Sequence, residues 1–243
     1  MGLRQRLHFA IFARLMTYPE ILYEDNHLLA VNKPAGVLVQ PDKNGDEALE
    51  QILKQYIKEK YNKPGEVFLG VCHRIDRPVS GVVIFARTSK ALVRLNEMFK
   101  GREVKKTYWA VVQSRPPHQS GHLKHWLKKD EKKNISRAYD REEKGTSACE
   151  LDYDWLASSD NYFLLEVNPL TGRHHQIRVQ LSKMGCPIKG DVKYGARRTN
   201  KDGSIHLHAR QVEFIHPVKK EAVIITAPVP DEVVWKAFEK QLA

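Results

Sequence analysis

Cysteine is scarce in this chain. Cys72, Cys149 and Cys186 are the only three among 243 residues. An odd set with no CxxC spacing excludes a disulfide framework and a cysteine-rich zinc module. The three read as free thiols of a reducing compartment, and the cytoplasm is the expected location. Long apolar runs are missing too. No stretch reaches 18 residues, so no helix crosses a membrane. The 14 glycines and 12 prolines follow no period, which excludes collagen-like and low-complexity chains. Acid is absent before Glu20, where Arg4, Arg6 and Arg14 stand. Arg14 interrupts the short apolar run, against a secretory signal, and Arg6 breaks the myristoylation pattern. Residues 1–20 are therefore expected to be an extension, frayed over 1–15, ahead of one domain spanning 21–243.

What is abundant is positive charge. Forty Lys and Arg against 29 Asp and Glu leave a formal net charge of +11. That balance predicts a polyanionic partner. From Lys100 to Lys144 there are 13 basic and 6 acidic residues. A charge run alone reads as solvated surface. This one also carries Tyr108, Trp109, Trp126 and Tyr139, a mixture suited to a phosphate backbone with stacked bases. Lys128, Lys129, Lys132 and Lys133 are its densest part.

Hydrophobic residues make up 42%, enough for a packed core. HLLAVNKPAG (27–36) predicts a strand entering a Pro-Gly turn. A helix capped by Asp46 should run to about Tyr61, and another capped by Ser89 should stop at Gly101. Strands are expected over 81–87, 105–113, 148–157, 162–170, 205–217 and 221–228. The segment 114–134 reads as turn and loop. TGR (171–173) should initiate a helix through Met184, and Asp231 should cap a last one. Strands adjacent in sequence with few helices between them predict an α+β fold with a large, mostly antiparallel sheet.

Four segments carry candidate chemistry. In CHRIDRPVSGVVIFAR (72–87), Asp76 lies between Arg74 and Arg77, which favours its carboxylate form. Alone, such a cluster reads as a structural turn. In PLTGRHHQIRVQLSKMGCPIKGDVKYG (169–195), Arg173, His174, His175, Gln176 and Arg178 crowd the start of the expected helix. Arg178 is suited to hold a carboxylate bidentately. Adjacent helical residues point apart, so His174 and His175 do not predict a metal site. In KKTYWA (105–110), Tyr108 stands behind Lys105 and Lys106; alone it reads as a core tyrosine. NKPAGVLVQPD (32–42) is a loop with tight backbone geometry. His206 and His208 share a strand face, but no third ligand accompanies them.

Taken together, HRIDRPVSGVVIFAR, KKTY, PLTGRHHQIRVQLSKMGCPIKGDVKYG, IHLHARQVEFIHP and APVP resemble the RluA-type RNA pseudouridine synthases. The resemblance runs from about Ile21 to Asp231, with several long motifs in order. It implies the pseudouridine synthase fold with a central active-site cleft, and isomerisation of uridines in structured tRNA or rRNA. It also places the family's catalytic aspartate on Asp76, its tyrosine on Tyr108 and its arginine on Arg178. Arg74 matches the arginine that helps extrude or replace the target nucleotide. Lys105, Lys106, Arg173, His175 and Gln176 adjoin these as candidate RNA contacts. Three positions depart from the pattern: Ile75 for Leu, Val79 for Thr and Gln180 for His. The twenty residues before Ile21 are too few for the S4-type RNA-binding module of some relatives. RNA would then be gripped by the catalytic domain itself, as a monomer without an obligate protein partner. The isomerisation is redox-neutral and its fragments stay together, so neither cofactor nor metal is required. Two rivals stand beside this reading: an RNA-binding or assembly factor that keeps the fold without the chemistry, and an N-glycosidase that releases the base.

Overall fold

The computed structural model describes residues 18–42 and 45–242; the extension expected over 1–15 lies outside the described residues. Eleven strands form one sheet. They are β1 (Ile21–Glu24), β2 (Leu28–Lys33), β3 (Gly70–Val71), β4 (Ser80–Ala86), β5 (Lys105–Val112), β6 (Ser120–Asp130), β7 (Ile135–Tyr139), β8 (Ser147–Ser158), β9 (Phe163–Pro169), β10 (Leu207–Ile215) and β11 (Ala222–Thr226). The helices among the described residues are α1 (Leu49–Lys60), α2 (Ser89–Gly101), α3 (Gln176–Lys183) and α4 (Val233–Leu242), with a 3-10 turn at Val192–Tyr194. The main path runs β1-β2-β4-β10-β5-β9-β8-β6-β7, with β11 beside β10 and β3 beside β4. Among these strands only β4 and β10 pair in parallel. The expected α+β architecture with a mostly antiparallel sheet is what the chain adopts.

Alternation along each strand divides the core between the two faces. On β2 and β4, Leu29, Val31, Val83 and Phe85 pack with Leu49, Leu53 and Ile57 of α1 and with Ile177 and Leu181 of α3. Leu28, Ala30, Val82 and Ile84 point the other way, onto Ala91, Leu95 and Met98 of α2. At about 25 cal/mol per Å² of apolar surface, these two layers supply most of the drive for folding.

Local signals differ from the sequence expectations at several places. Ala48, not Asp46, precedes α1, and the Gln51 side chain accepts from its N–H at 3.0 Å. Asp46 is engaged by Arg77, at 2.7 Å. Thr88, not Ser89, caps α2 by accepting from the Ala91 N–H. Glu232, not Asp231, accepts from the N–H groups of Val234 and Trp235 at the start of α4. The segment expected as loop contains β6, the long partner of both β7 and β8.

Candidate active site

The site begins where β4 meets β10. A Cβ on Gly81 would lie 2.3 Å from the Ala209 carbonyl oxygen, and its φ is +114°. Only glycine fits this parallel contact, so the strand end beside Asp76 is fixed in place. The loop before β4 is then pinned from outside. Lys33 is fully buried and donates to the carbonyls of Pro34, Val37 and Arg77 at 2.9, 2.8 and 3.2 Å. Three acceptors match its three ammonium protons, although burial pushes its pKa down to about 7 against the opposing pull of Asp76. The Gly36 N–H donates to the Arg77 carbonyl, and Arg77 Nε returns a bond to the Gly36 carbonyl. Arg77 is thereby turned outward and Asp76 inward.

Neither neighbouring arginine pairs with Asp76. Arg178 does, 102 residues away, donating from Nη1 to Oδ2 at 2.9 Å. Its other two nitrogens, Nε and Nη2, form a two-point pair with Asp191 at 2.7 and 2.9 Å. Asp191 is 1% exposed and Arg178 is 4% exposed. Burial alone would lower the arginine's pKa, but the bonds and charges of Asp191 and Asp76 raise it further. The guanidinium also lies over the Tyr194 ring, 5.0 Å from its centroid. One arginine is thus held from behind by a buried carboxylate and presents its remaining nitrogen to the carboxylate in the cleft.

Helix α3 starts later than expected. His175 precedes it in left-handed conformation, φ 55°. Thr171 and Gln176 close the turn: the Thr171 hydroxyl and the Arg173 N–H both donate to Gln176 Oε1. The two histidine rings do not diverge. They stack at 3.7 Å, because the left-handed residue breaks the helical spacing. The Tyr194 hydroxyl accepts from the Ser136 N–H at 2.7 Å and lies 2.8 Å from His175 Nδ1. With that hydroxyl donating to Nδ1, the ring proton sits on Nε2, 3.5 Å from Asp76 Oδ2. Burial holds His175 neutral, with its pKa lowered to about 3; Asp76 opposes this shift and Arg178 adds to it.

A cavity of about 520 Å³ opens over these groups. Arg74, Asp76, Lys106, Tyr108, Arg173, His175, Gln176 and Arg178 all line it. Asp76 is its one acidic lining residue among those described. The Tyr108 hydroxyl makes no hydrogen bond within the described residues. Burial, reinforced by the charge of Asp76, raises its pKa, so the phenol stays protonated. Lys105 stands outside this lining, highly exposed and paired with Glu213 at 3.1 Å. Lys128, Lys129, Lys132 and Lys133 lie on the exposed β6–β7 hairpin, also outside it. Of the three departures from the family pattern, Ile75 and Val79 are buried apolar positions. Gln180 is fully buried and donates to the Leu123 carbonyl.

Asp191 and Tyr194 escaped the sequence reading, although both fall in the GDVKYG run. The available signal was the lone acid of that run, between Lys189 and Lys193, which when buried requires a cation. The described residues contain no cluster of three or more metal-ligating side chains, and no helix among them is long and apolar enough to cross a membrane.

Comparison with known proteins gives one consistent family. Residues 27–183 match the model described as RNA pseudouridylate synthase. The chain is 34% identical to tRNA pseudouridine synthase C of Vibrio vulnificus, over 91% of this chain and 94% of that protein. It is also 34% identical to ribosomal large subunit pseudouridine synthase C of Buchnera aphidicola, over 86% and 67%. Among solved structures, human RNA pseudouridylate synthase domain containing 4 superposes with a TM-score of 0.75 at 25% identity. That match covers 97% of this chain and 98% of the human one.

Proposed function

The chain belongs to the RNA pseudouridylate synthase family, and from that premise we propose that Asp76 is the group that acts at the glycosidic junction. The enzyme is an isomerase that converts uridine in RNA to pseudouridine. In that reaction the uracil N1–C1′ bond breaks, a C5–C1′ bond forms, the C5 proton leaves and N1 takes up a proton, with no net change in atoms or oxidation state. The chemistry needs a fixed carboxylate beside the sugar and walls that confine the loosened base. The single observation that carries the assignment is the Asp76–Arg178 contact at 2.9 Å inside a cleft whose lining holds arginines and lysines but, among the described residues, no second carboxylate. Asp76 serves as nucleophile or as proton acceptor. Arg178 orients it, and Asp191 orients Arg178. Tyr108 supplies a ring for the base; as a protonated phenol it works at C5 through its hydroxyl or a water, not as a phenolate.

A stacked, paired uridine does not reach such a cleft. Eversion costs on the order of a few kcal/mol. Arg74, exposed in the cleft lining and without an ion pair among the described residues, is the residue we assign to fill the gap. Lys106 and Arg173 line the cleft beside it. Lys128, Lys129, Lys132 and Lys133 extend the positive field along the hairpin. The substrate class is tRNA or ribosomal RNA, as the names of the relatives suggest, and the working unit is one cytoplasmic monomer whose residues 21–243 form the catalytic domain.

RNA labelled in its uracil rings, taken from cells lacking the protein, tests this reading. Label recovered as pseudouridine supports the isomerase. Release as free uracil would make it a glycosidase, and unchanged uridine would leave an RNA-binding factor.

A further inference from the structure

The cleft continues past Asp76 along β5. Lys106 and Tyr108 are two residues apart, so they share one face of the strand, about 7 Å from each other. Lys106 is half-buried, and within the described residues its ammonium has no hydrogen-bond or carboxylate partner. It stands beside the TGR turn, where a Cβ on Gly172 would lie 4.0 Å from Nζ. Burial lowers its pKa, and the nearby Arg102 adds to this. Arg102 ends α2 in left-handed conformation, φ 63°, lines the same cavity and forms no ion pair among the described residues.

His73 closes this arm. Its Nε2 accepts the Ile84 N–H at 2.8 Å, and the neighbouring Cys72 thiol donates to the Ile84 carbonyl at 3.2 Å. The two side chains thus fill the gap on the β4 edge between its pairings with β10, at Ser80 and Gly81, and with β3, at Phe85 and Ala86. Accepting at Nε2 forces the proton of the neutral ring onto Nδ1. Burial, together with Lys106, keeps the ring neutral, with a pKa lowered to about 3. Stacking on Phe99, with centroids 4.6 Å apart and planes at 21°, fixes its orientation. The Nδ1–H finds no protein acceptor among the described residues, and the ring lines the cavity.

We propose that the His73–Lys106–Arg102 arm is a phosphodiester subsite that receives the backbone linkage of the nucleotide whose base lies against Tyr108. The proposal rests on the reading of the Asp76 site above. Every polar group offered by the arm is a donor, so its ligand must be an acceptor. Two cations that form no ion pair among the described residues, Arg102 feeling only the charge of Glu150, which is itself paired with Lys124, make that ligand an anion. A base edge, which presents donors beside its acceptors, fits less well than phosphate oxygens. The spacing between Lys106 and Tyr108 matches a group bonded to the same nucleoside. His73 contributes a donor without adding charge.

The test measures KM, kcat and salt dependence on RNA from cells lacking the protein, with uridine and uridine 3′,5′-bisphosphate as competitors. Lys106→Met should raise KM about tenfold, more than it lowers kcat, and reduce the slope of log affinity against log salt by about one. Lys106→Arg should restore most of both. The bisphosphate should compete at least about tenfold better than uridine against the wild type and lose that advantage against Lys106→Met. His73→Phe, which keeps the stacking, should raise KM while leaving the salt slope unaltered. Because His73 also serves Ile84, the Lys106 variants decide the matter if His73→Phe does not fold. Wild-type KM and slope in Lys106→Met, or a bisphosphate advantage that survives it, would overturn the subsite. A wild-type protein that isomerises no uridine would instead refute the Asp76 reading, so the two failures are separable.

Discussion

The cleft and the β6–β7 hairpin use the same kinds of residue to opposite ends. In the cleft, Arg178 commits all three guanidinium nitrogens to fixed carboxylates, two to Asp191 and one to Asp76. On the hairpin, Lys129 pairs with Glu131 two residues away and Lys128 reaches the Lys144 carbonyl, while Lys132 and Lys133 are exposed. A buried cation in one geometry can direct a reaction, because the low dielectric strengthens each contact and packing removes alternatives. An exposed one acts through its field, which salt screens within about 10 Å at 0.1 M. Positive charge alone therefore says little about function until its burial and partners are known.

The contrast predicts that removing one charge from the cleft outweighs removing several from the hairpin. Asp76→Asn keeps the shape and loses the anion. It should lower kcat by about 10²–10⁴-fold or more, with RNA affinity changed far less. Single-turnover pseudouridine formation beside filter binding measures both. Retained turnover would end the assignment of Asp76.

Asp191 is the sharper probe of burial. Asp191→Asn takes away the fully buried counter-charge of Arg178 and leaves only the partly exposed Asp76 to balance it. Breaking such a pair typically costs about 3–5 kcal/mol, visible as a lower denaturant midpoint. Turnover should fall as well, because Arg178 would no longer be held toward Asp76. A variant as stable as the wild type would mean that the buried pair is not what fixes the arginine.

How far was this contrast legible beforehand? The β-branched run of β4 and the apolar spacing of α1 and α2 gave those elements directly. The strand β6 was hidden by its composition: its inward positions are Gly121, Leu123, His125 and Leu127, and a glycine and a histidine blur the two-residue period. His125 is buried there because Gln180 lies 3.1 Å from its Nδ1, a partner 55 residues distant in sequence. The start of α3 was hidden because nothing in TGRHH announces a left-handed histidine. Asp76, Tyr108 and Arg178 were legible through the resemblance, not through their local setting. By local setting alone, Asp76 belonged with Arg74 and Arg77, yet Arg77 is turned outward to Gly36 and Asp46, and Arg74 lines the cleft without pairing with it. The support behind the trio, Asp191 and Tyr194, depends on long-range packing that no local pattern encodes.

Acid should expose the buried groups before the exposed ones. His73 and His175 are lowered to about 3 and His208 to about 4, chiefly by burial. In the unfolded chain they return to the ordinary range near 6.5. Between about pH 4 and 6.5 the unfolded state therefore binds protons that the folded state refuses. Stability is complete above that window and falls as pH drops through it. Urea unfolding at pH 7.5, 6.0 and 5.0 should show a falling midpoint, and His175→Gln should flatten the slope. A midpoint constant over that range would mean the histidines are not held neutral.

The hairpin should give the smallest effect per residue. Reversing Lys128, Lys129, Lys132 and Lys133 to Glu removes four exposed cations from the side of the molecule next to the cleft. Each phosphate that is no longer neutralised should lower the salt slope by about 0.7–0.9. The penalty should therefore be large in low salt and shrink as salt rises, and it should fall on KM. Single reversals of Lys129, already paired with Glu131, should be weaker than those of Lys132 or Lys133. If instead the quadruple variant loses affinity equally at all salt concentrations, the hairpin touches RNA through fixed contacts, as proposed for the cleft, and the distinction between the two regions fails.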